Sequence, residues 1–127
     1  EDSIMTNGIP EGWHSVTPRL VVHDPAAFVT FLKQAFSATG DFQPGSPAQV
    51  TIGDSIVMIS GVGVREATPS LLHLYVEDAD ATYRRALEAG AESLEVPYIV
   101  PYGDQRGMVK DPAGNTWQIA TYNGPPS

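Results

Sequence analysis

Two stretches of the chain, Arg19-Leu-Val-Val-His-Asp24 and His73-Leu-Tyr-Val-Glu-Asp78, lie over one another at an offset of 54 residues. Each is a short apolar, β-branched run that ends at an aspartate. Aspartate is a favoured helix N-cap because its carboxylate accepts from the unpaired N–H groups of the first turn. Behind Asp24 comes Pro25, whose missing N–H costs nothing at the first helical position. Phe28, Phe31, Leu32, Ala35 and Phe36 then recur at the spacing of one buried helix stripe, and Gly40 lies beyond the stop. Behind Asp78, the residues Tyr83, Ala86 and Leu87 give a second stripe, with Gly90 placed as a left-handed stop. The strands leading into the two helices are read as Val16 to Val22 and Leu71 to Val76.

Working outward, each helix is followed by a hairpin. Gln49 to Ile52 and Ser55 to Ser60 flank Gly53-Asp54, a two-residue turn in which glycine supplies the positive φ. Arg106 to Lys110 and Thr116 to Thr121 flank Asp111-Pro-Ala-Gly-Asn115, with Pro112 at a corner and Gly114 where a left-handed residue is needed. Both halves thus predict strand–helix–strand–strand–strand, joined by the loose stretch Gly61 to Ser70. The fold class is α+β: two tandem βαβββ modules, about 13–60 and about 71–122, within one domain spanning 1–127. Pro97 to Asp104, with two prolines and two tyrosines, reads as a semi-rigid lip. Asp80–Arg84 and Arg84–Glu88 stand at i, i+4 and predict a solvated helix face, and Asp104 and Arg106 predict a loop salt bridge. Asp24 and Asp78 read as caps rather than catalytic carboxylates.

The composition narrows the function. A chain of 127 residues with 42% hydrophobic and 17% charged residues supports one core and is not a disordered segment. The absence of cysteine excludes disulfides, thiolate metal sites and cysteine nucleophiles. Seven basic against fifteen acidic residues, a net charge of −8, argue against nucleic acid as a partner. No apolar run has membrane-spanning length and no basic-then-apolar leader opens the chain, so no membrane partner and a cytoplasmic location are expected.

The paired units, together with Trp13-His-Ser-Val-Thr-Pro18, Phe31 to Phe36, Leu72-His-Leu-Tyr-Val-Glu-Asp-Ala-Asp80, Tyr102-Gly-Asp104 and Asp111-Pro-Ala-Gly-Asn-Thr-Trp-Gln-Ile-Ala-Thr121, resemble the vicinal oxygen chelate superfamily. This superfamily includes glyoxalase I, extradiol dioxygenases and the bleomycin- and fosfomycin-resistance proteins, and the set is most similar to its PhnB-like branch. The resemblance implies a curled mixed-sheet cup with the helices on its outer face, and a homodimer. It places Leu72, Leu74 and Val76 under the helix and Leu71, His73 and Tyr75 toward the cup. Metal-dependent members hold a divalent cation at four cup positions, which fall here on Thr17, Met58, Leu71 and Gln118. A hydroxyl, a thioether, a hydrocarbon and an amide are not the imidazole and carboxylate donors such a cation needs, so no metal and no cofactor are expected. His14, His23 and His73 are spread along the chain with no i, i+4 pair.

The residues expected to bind a ligand are Arg19, Met58, His73, Tyr75, Tyr98, Tyr102 and Gln118. Arg19 suits a carboxylate or phosphonate, His73 a proton donor or acceptor, and the tyrosines give contact area at low entropy cost. Each also has a plainer reading: Met58 as gap filler, Gln118 as a cross-strand bond, and Arg19 and His73 as partners for local backbone. Trp117 and Ile119, on the opposite face, read as core. The resulting expectation is a protein that binds a small organic ligand, as drug-sequestering relatives do. The alternative is a lyase, isomerase or dioxygenase-type enzyme, with a displaced metal or with His73 as general base.

Overall fold

The computed structural model describes residues 7–63 and 65–125. Elements follow in the order β1 (Arg19–Val22), α1 (Pro25–Phe36), β2 (Ala48–Ile52), β3 (Ser55–Gly61), β4 (Leu71–Tyr75), α2 (Ala79–Glu88), β5 (Glu92–Ile99), β6 (Gln105–Lys110) and β7 (Thr116–Thr121). The protein is α+β, with a three-stranded sheet ordered β1-β3-β2 and a four-stranded sheet ordered β4-β7-β6-β5. In each sheet the strand before the helix runs parallel to its neighbour and the remaining pairs are antiparallel. The two sheets stay open rather than closing into one barrel.

Both caps form as the sequence predicts. Asp24 Oδ1 accepts from Ala27 N at 3.1 Å, and Asp78 Oδ1 accepts from Ala81 N at 3.0 Å. The first helix ends earlier than its glycine, at Ser37, which takes the left-handed conformation itself at φ 57°. Gly40 serves a different purpose. A Cβ there would lie 2.4 Å from the Gln49 carbonyl oxygen, so only glycine lets the chain pass close enough for Thr39 to bridge Thr51.

The first module departs from the expected pattern. That single bridge stands where the second module has the full strand β5, so the first unit is βαββ among the described residues. The stretch Gln43-Pro-Gly-Ser-Pro47 explains the loss, because two prolines in five residues remove ladder donors. Strand β1 also starts at Arg19 rather than Val16, directly after Pro18. Pro97, Tyr98 and Ile99 are not part of a lip. They belong to β5, where register shifts between Glu95 and Tyr98 accommodate the proline, and only Val100 to Asp104 forms a turn.

Each helix covers one face of its own sheet, and the helices pack on each other. The core is continuous across the modules. It joins Leu20, Val22, Val50, Val57 and Ile59 under α1 to Val109, Trp117 and Ile119 under α2 and its Ala86, with Leu72, Leu74 and Val76 packed against it. Phe36 and Trp117 meet at 4.7 Å between ring centroids. The Trp117 indole N–H donates to Asp111 Oδ2 at 2.7 Å. Asp111 Oδ1 accepts from Ala113 N and Asn115 N, so one buried carboxylate locks the β6–β7 turn and fixes the ring that links the halves.

Candidate functional site

With one face of each sheet under a helix, the opposite face is left free, and strand register shows which residues share it. On the second sheet, His73 stands beside Gln118 and Gln118 beside Met108, with Glu95 completing the row. The next row runs Tyr75, Ala120, Arg106 and Tyr98. On the first sheet, Arg19 stands beside Met58 and Met58 beside Gln49. Each module therefore presents one row of a basic residue, a methionine and a glutamine, with the last two in swapped order. Leu71, His73 and Tyr75 are exposed, in keeping with their expected orientation.

Contacts along these rows give the face its chemistry. The His73 and Gln118 side chains meet at 3.0 Å between Nδ1 and Oε1, and Gln118 Nε2 reaches Met108 Sδ at 3.7 Å. A thioether sulfur can only accept, so the glutamine turns its NH2 to Met108 and its carbonyl to His73. His73 must then donate from Nδ1, which leaves Nε2 as the acceptor of the neutral ring. The His73 ring meets Tyr75 edge-on, with centroids 4.7 Å apart.

Arg106 pairs with Glu95 at 3.3 Å rather than with Asp104, because both project from the free face of paired strands whereas Asp104 is buried in the turn. Its Nε is buried with no acceptor among the described residues. Desolvation opposes the charge on Arg106, but the hydrogen bond and charge of Glu95, with smaller contributions from Tyr102, together outweigh it, and its pKa is raised. The Tyr75 hydroxyl is also pushed above the usual tyrosine value. Desolvation contributes most, followed by the Asp104 carboxylate beside it, with Tyr102 and Tyr122 adding smaller effects. On the outer side, the i, i+4 pairs expected on α2 are not among the ion pairs of the described residues. Asp80 accepts instead from Gln105 Nε2 at 3.0 Å.

The structure therefore splits the sequence-predicted set. His73, Tyr75, Gln118 and Tyr98 share one free face, with Tyr102 at the turn next to it. Arg19 and Met58 lie on the other sheet, where Arg19 Nε donates to Ser60 Oγ at 2.8 Å. A depression of about 430 Å³ beside Arg19 is lined by Pro25, Phe42 and Ser60. A larger cleft of about 950 Å³ runs along the module junction between Phe36, Thr51, Thr82 and Tyr122, and of the predicted set it includes Tyr75. Met108, Glu95 and Arg106 were missed as members of the face. The two-residue alternation of β6 carried that information, since Arg106 and Met108 flank the helix-facing Gly107 and precede the buried Val109.

The sequence profile of the Glyoxalase/Bleomycin resistance protein/Dioxygenase superfamily matches residues 9–119. The chain belongs to this superfamily. An uncharacterized protein of Mycobacterium bovis is 32% identical over 123 residues, covering 83% of this chain and 81% of its own. Among solved structures, TioX from Micromonospora sp. ML1 matches with a TM-score of 0.74 at 23% identity, over 85% of this chain and 98% of that one. A glyoxalase/bleomycin resistance protein/dioxygenase family enzyme from Burkholderia phytofirmans PsJN matches at 0.70 and 19%, over 81% and 94%. At these identities the solved structures speak for the fold alone.

Membership raises the question of the chelated cation. The four positions that the resemblance assigns to it carry the Thr17 hydroxyl, the Met58 thioether, the Leu71 hydrocarbon and the Gln118 amide. Gln118 is already engaged by His73 and Met108. No group of three or more His, Cys, Asp or Glu side chains that could hold a metal ion exists among the described residues. These donors do not fit a hard or borderline divalent cation. No helix of the described residues is long and apolar enough to cross a membrane.

Proposed function

We propose that this superfamily member binds a small organic molecule without a chelated metal, sequestering a drug or metabolite, and that it does so as a homodimer. Within the superfamily we place it nearest the PhnB-like branch, on the sequence motifs around Trp13 to Pro18 and Leu72 to Asp80. The observation that carries the reading is the chemistry of the four corners, where no imidazole or carboxylate stands. What surrounds them is a mixture of aromatic, thioether and amide groups with the His73 imidazole, Arg19 and the Arg106–Glu95 pair, the kind of lining that holds organic ligands.

The dimer follows from what a single chain leaves open. Leu71 is 69% exposed, Tyr75 59% and Ile99 61%, so large apolar side chains stand on or beside the free face. Arg19 and His73, equivalent in the repeat, lie on different sheets of one chain, and a second copy brings the two kinds of free face together. In such a pair, Arg19 would take an anionic or acceptor group while His73, Gln118 and the tyrosines hold the rest of the ligand.

A second reading is favoured by the contact of His73 Nδ1 with Gln118 Oε1. An imidazole with Nδ1 held and Nε2 available is arranged as a general base for proton abstraction in a lyase or isomerase. Elemental analysis of protein purified without added metal or chelator tests the non-chelating reading. A tightly bound transition metal at one per chain would overturn it. Native mass spectrometry of the same sample is expected to show a dimer carrying an organic adduct.

A further inference from the structure

The repeat gives the molecule two places where the helix start of one module meets the hairpin turn of the other, and they are not equally filled. At the first, Asp24, Ala27 and Phe28 at the α1 start share a hollow of about 180 Å³ with Pro112 and Ala113 of the β6–β7 turn. At the second, Asp78 and Thr82 at the α2 start share the junction cleft of about 950 Å³ with Ile52 and Gly53 of the β2–β3 turn. Five residues separate Lys110 from Thr116, whereas two separate Ile52 from Ser55. The longer turn fills its junction and the shorter leaves the other open. Of the residues that form the rows of the free face, only Tyr75 lines this cleft, so it is a separate site.

Its lining combines an apolar floor with charges of both signs. Phe36 and Ile52 are buried, and Leu74 and Val76 pack on the core. Glu77 and Asp78 bring two carboxylates, and Arg85 brings a guanidinium. None of these three enters an ion pair among the described residues. Asp78 gives Oδ1 to the Ala81 N–H, and Arg85 Nη2 donates to the neutral Thr82 Oγ1 at 3.2 Å. Asp78, Thr82 and Arg85 follow at i, i+4 and i+7, on one face of α2. Thr82, where the guanidinium is held, stands one turn from Asp78, a rise of about 6 Å. An ammonium and a carboxylate on one carbon, each with a hydrogen bond of about 2.8 Å, bridge that gap. A lone cation would leave the guanidinium unmatched, and a lone anion would face two carboxylates in a chain of net charge −8.

We propose that the junction cleft binds a free α-amino acid with a large apolar side chain. Its ammonium lies on Glu77 and Asp78, its carboxylate on Arg85, and its side chain on Phe36, Ile52 and Leu74. The site is independent of the free face and of the ligand proposed for that face.

Tryptophan and two analogues that each lack one charge, tryptamine and indolepropionate, test it by calorimetric titration into the intact protein. Tryptophan should bind about tenfold or more tightly than either analogue, the usual worth of a hydrogen bond to a charged group. Arg85→Gln should bring tryptophan down to the level of tryptamine. Glu77→Gln should weaken tryptophan and tryptamine together and leave indolepropionate no weaker. Both side chains are exposed, so thermal unfolding of the two variants should overlie that of the wild type. No binding of tryptophan at millimolar concentration, equal affinity for the three probes, or a preference over tryptamine that survives Arg85→Gln overturns the proposal. Loss of tryptophan binding in a folded His73→Phe variant would place the molecule on the free face and overturn it as well.

Discussion

Replacing Asp111 by asparagine changes one oxygen to an NH2 at the point where the two modules are pinned together. The carboxylate is 3% exposed and is used on both sides. Oδ1 accepts from Ala113 N at 2.8 Å and Asn115 N at 3.0 Å, while Oδ2 accepts from Trp117 Nε1 at 2.7 Å. An asparagine can keep its carbonyl on the backbone pair only by turning its NH2 toward the indole N–H. That loses a charge-assisted bond worth about 1.5–3 kcal/mol and buries two donors against each other. The remaining bonds weaken with the loss of charge, so the total is about 2–4 kcal/mol. For a domain of this size that corresponds to about 7–14 °C in Tm. Urea unfolding followed by circular dichroism, at fixed protein concentration because of the proposed dimer, measures it directly. Asn115 Nδ2 also donates to Oδ2 at 3.2 Å, so Trp117→Phe in the Asp111→Asn background removes the shorter of two opposing donors, and the double variant should be at least about 1 kcal/mol more stable than the sum of the singles implies. A loss below about 0.5 kcal/mol for Asp111→Asn, or strict additivity of the pair, would refute the assignment of this carboxylate as the clamp.

Three further outcomes are expected. Ser37→Gly should raise stability by about 0.5–1 kcal/mol, because a serine now bears the left-handed cap at φ 57°; thermal melts will show the sign. Arg19→Ala should weaken an anionic or acceptor-bearing ligand by about 1.5–3 kcal/mol while leaving the melting curve in place, since Arg19 is exposed; unchanged affinity would remove Arg19 from the site. Tyr75 should ionise above the usual value of 10.0, read as the difference between ultraviolet titrations of the wild type and Tyr75→Phe. Because the folded state favours the neutral phenol, the stability it contributes is full below pH 10 and is lost as the pH rises through the folded value. Asp104→Asn should lower that value in part, leaving the desolvation contribution.

The caps, helix stripes and hairpins were legible because each rests on local chemistry. Asp24 and Asp78 cap, Gly53 and Gly114 turn, and the two-residue alternation separates Trp117 and Ile119 from Gln118. What was illegible depended on partners distant in sequence. Arg106 chooses Glu95 over Asp104 because β5 and β6 pair with a bulge, and no local spacing encodes that register. The missing strand of the first module was foreshadowed by Pro44 and Pro47, yet the symmetry of the repeat outweighed them. Of the site, the face-sharing residues of β4 and β7 followed from alternation, whereas Tyr98 read as part of a lip and Met108, Glu95 and Arg106 were missed. The division of the site between two faces did not follow, because it depends on how the modules pack through Phe36 and Trp117.

The proline in β5 has a consequence for the protein's behaviour in a crowded solution. That strand is the outermost of its sheet, eight residues long, with Val96 and Ile99 turned to solvent. Such a margin would ordinarily act as a template on which identical chains stack into fibrils. Pro97 offers no N–H to an incoming strand, and the irregular spacing around it spoils the flat ladder a stack requires. The protein can thus carry an apolar sheet border whose unlimited stacking is opposed by a single pyrrolidine ring.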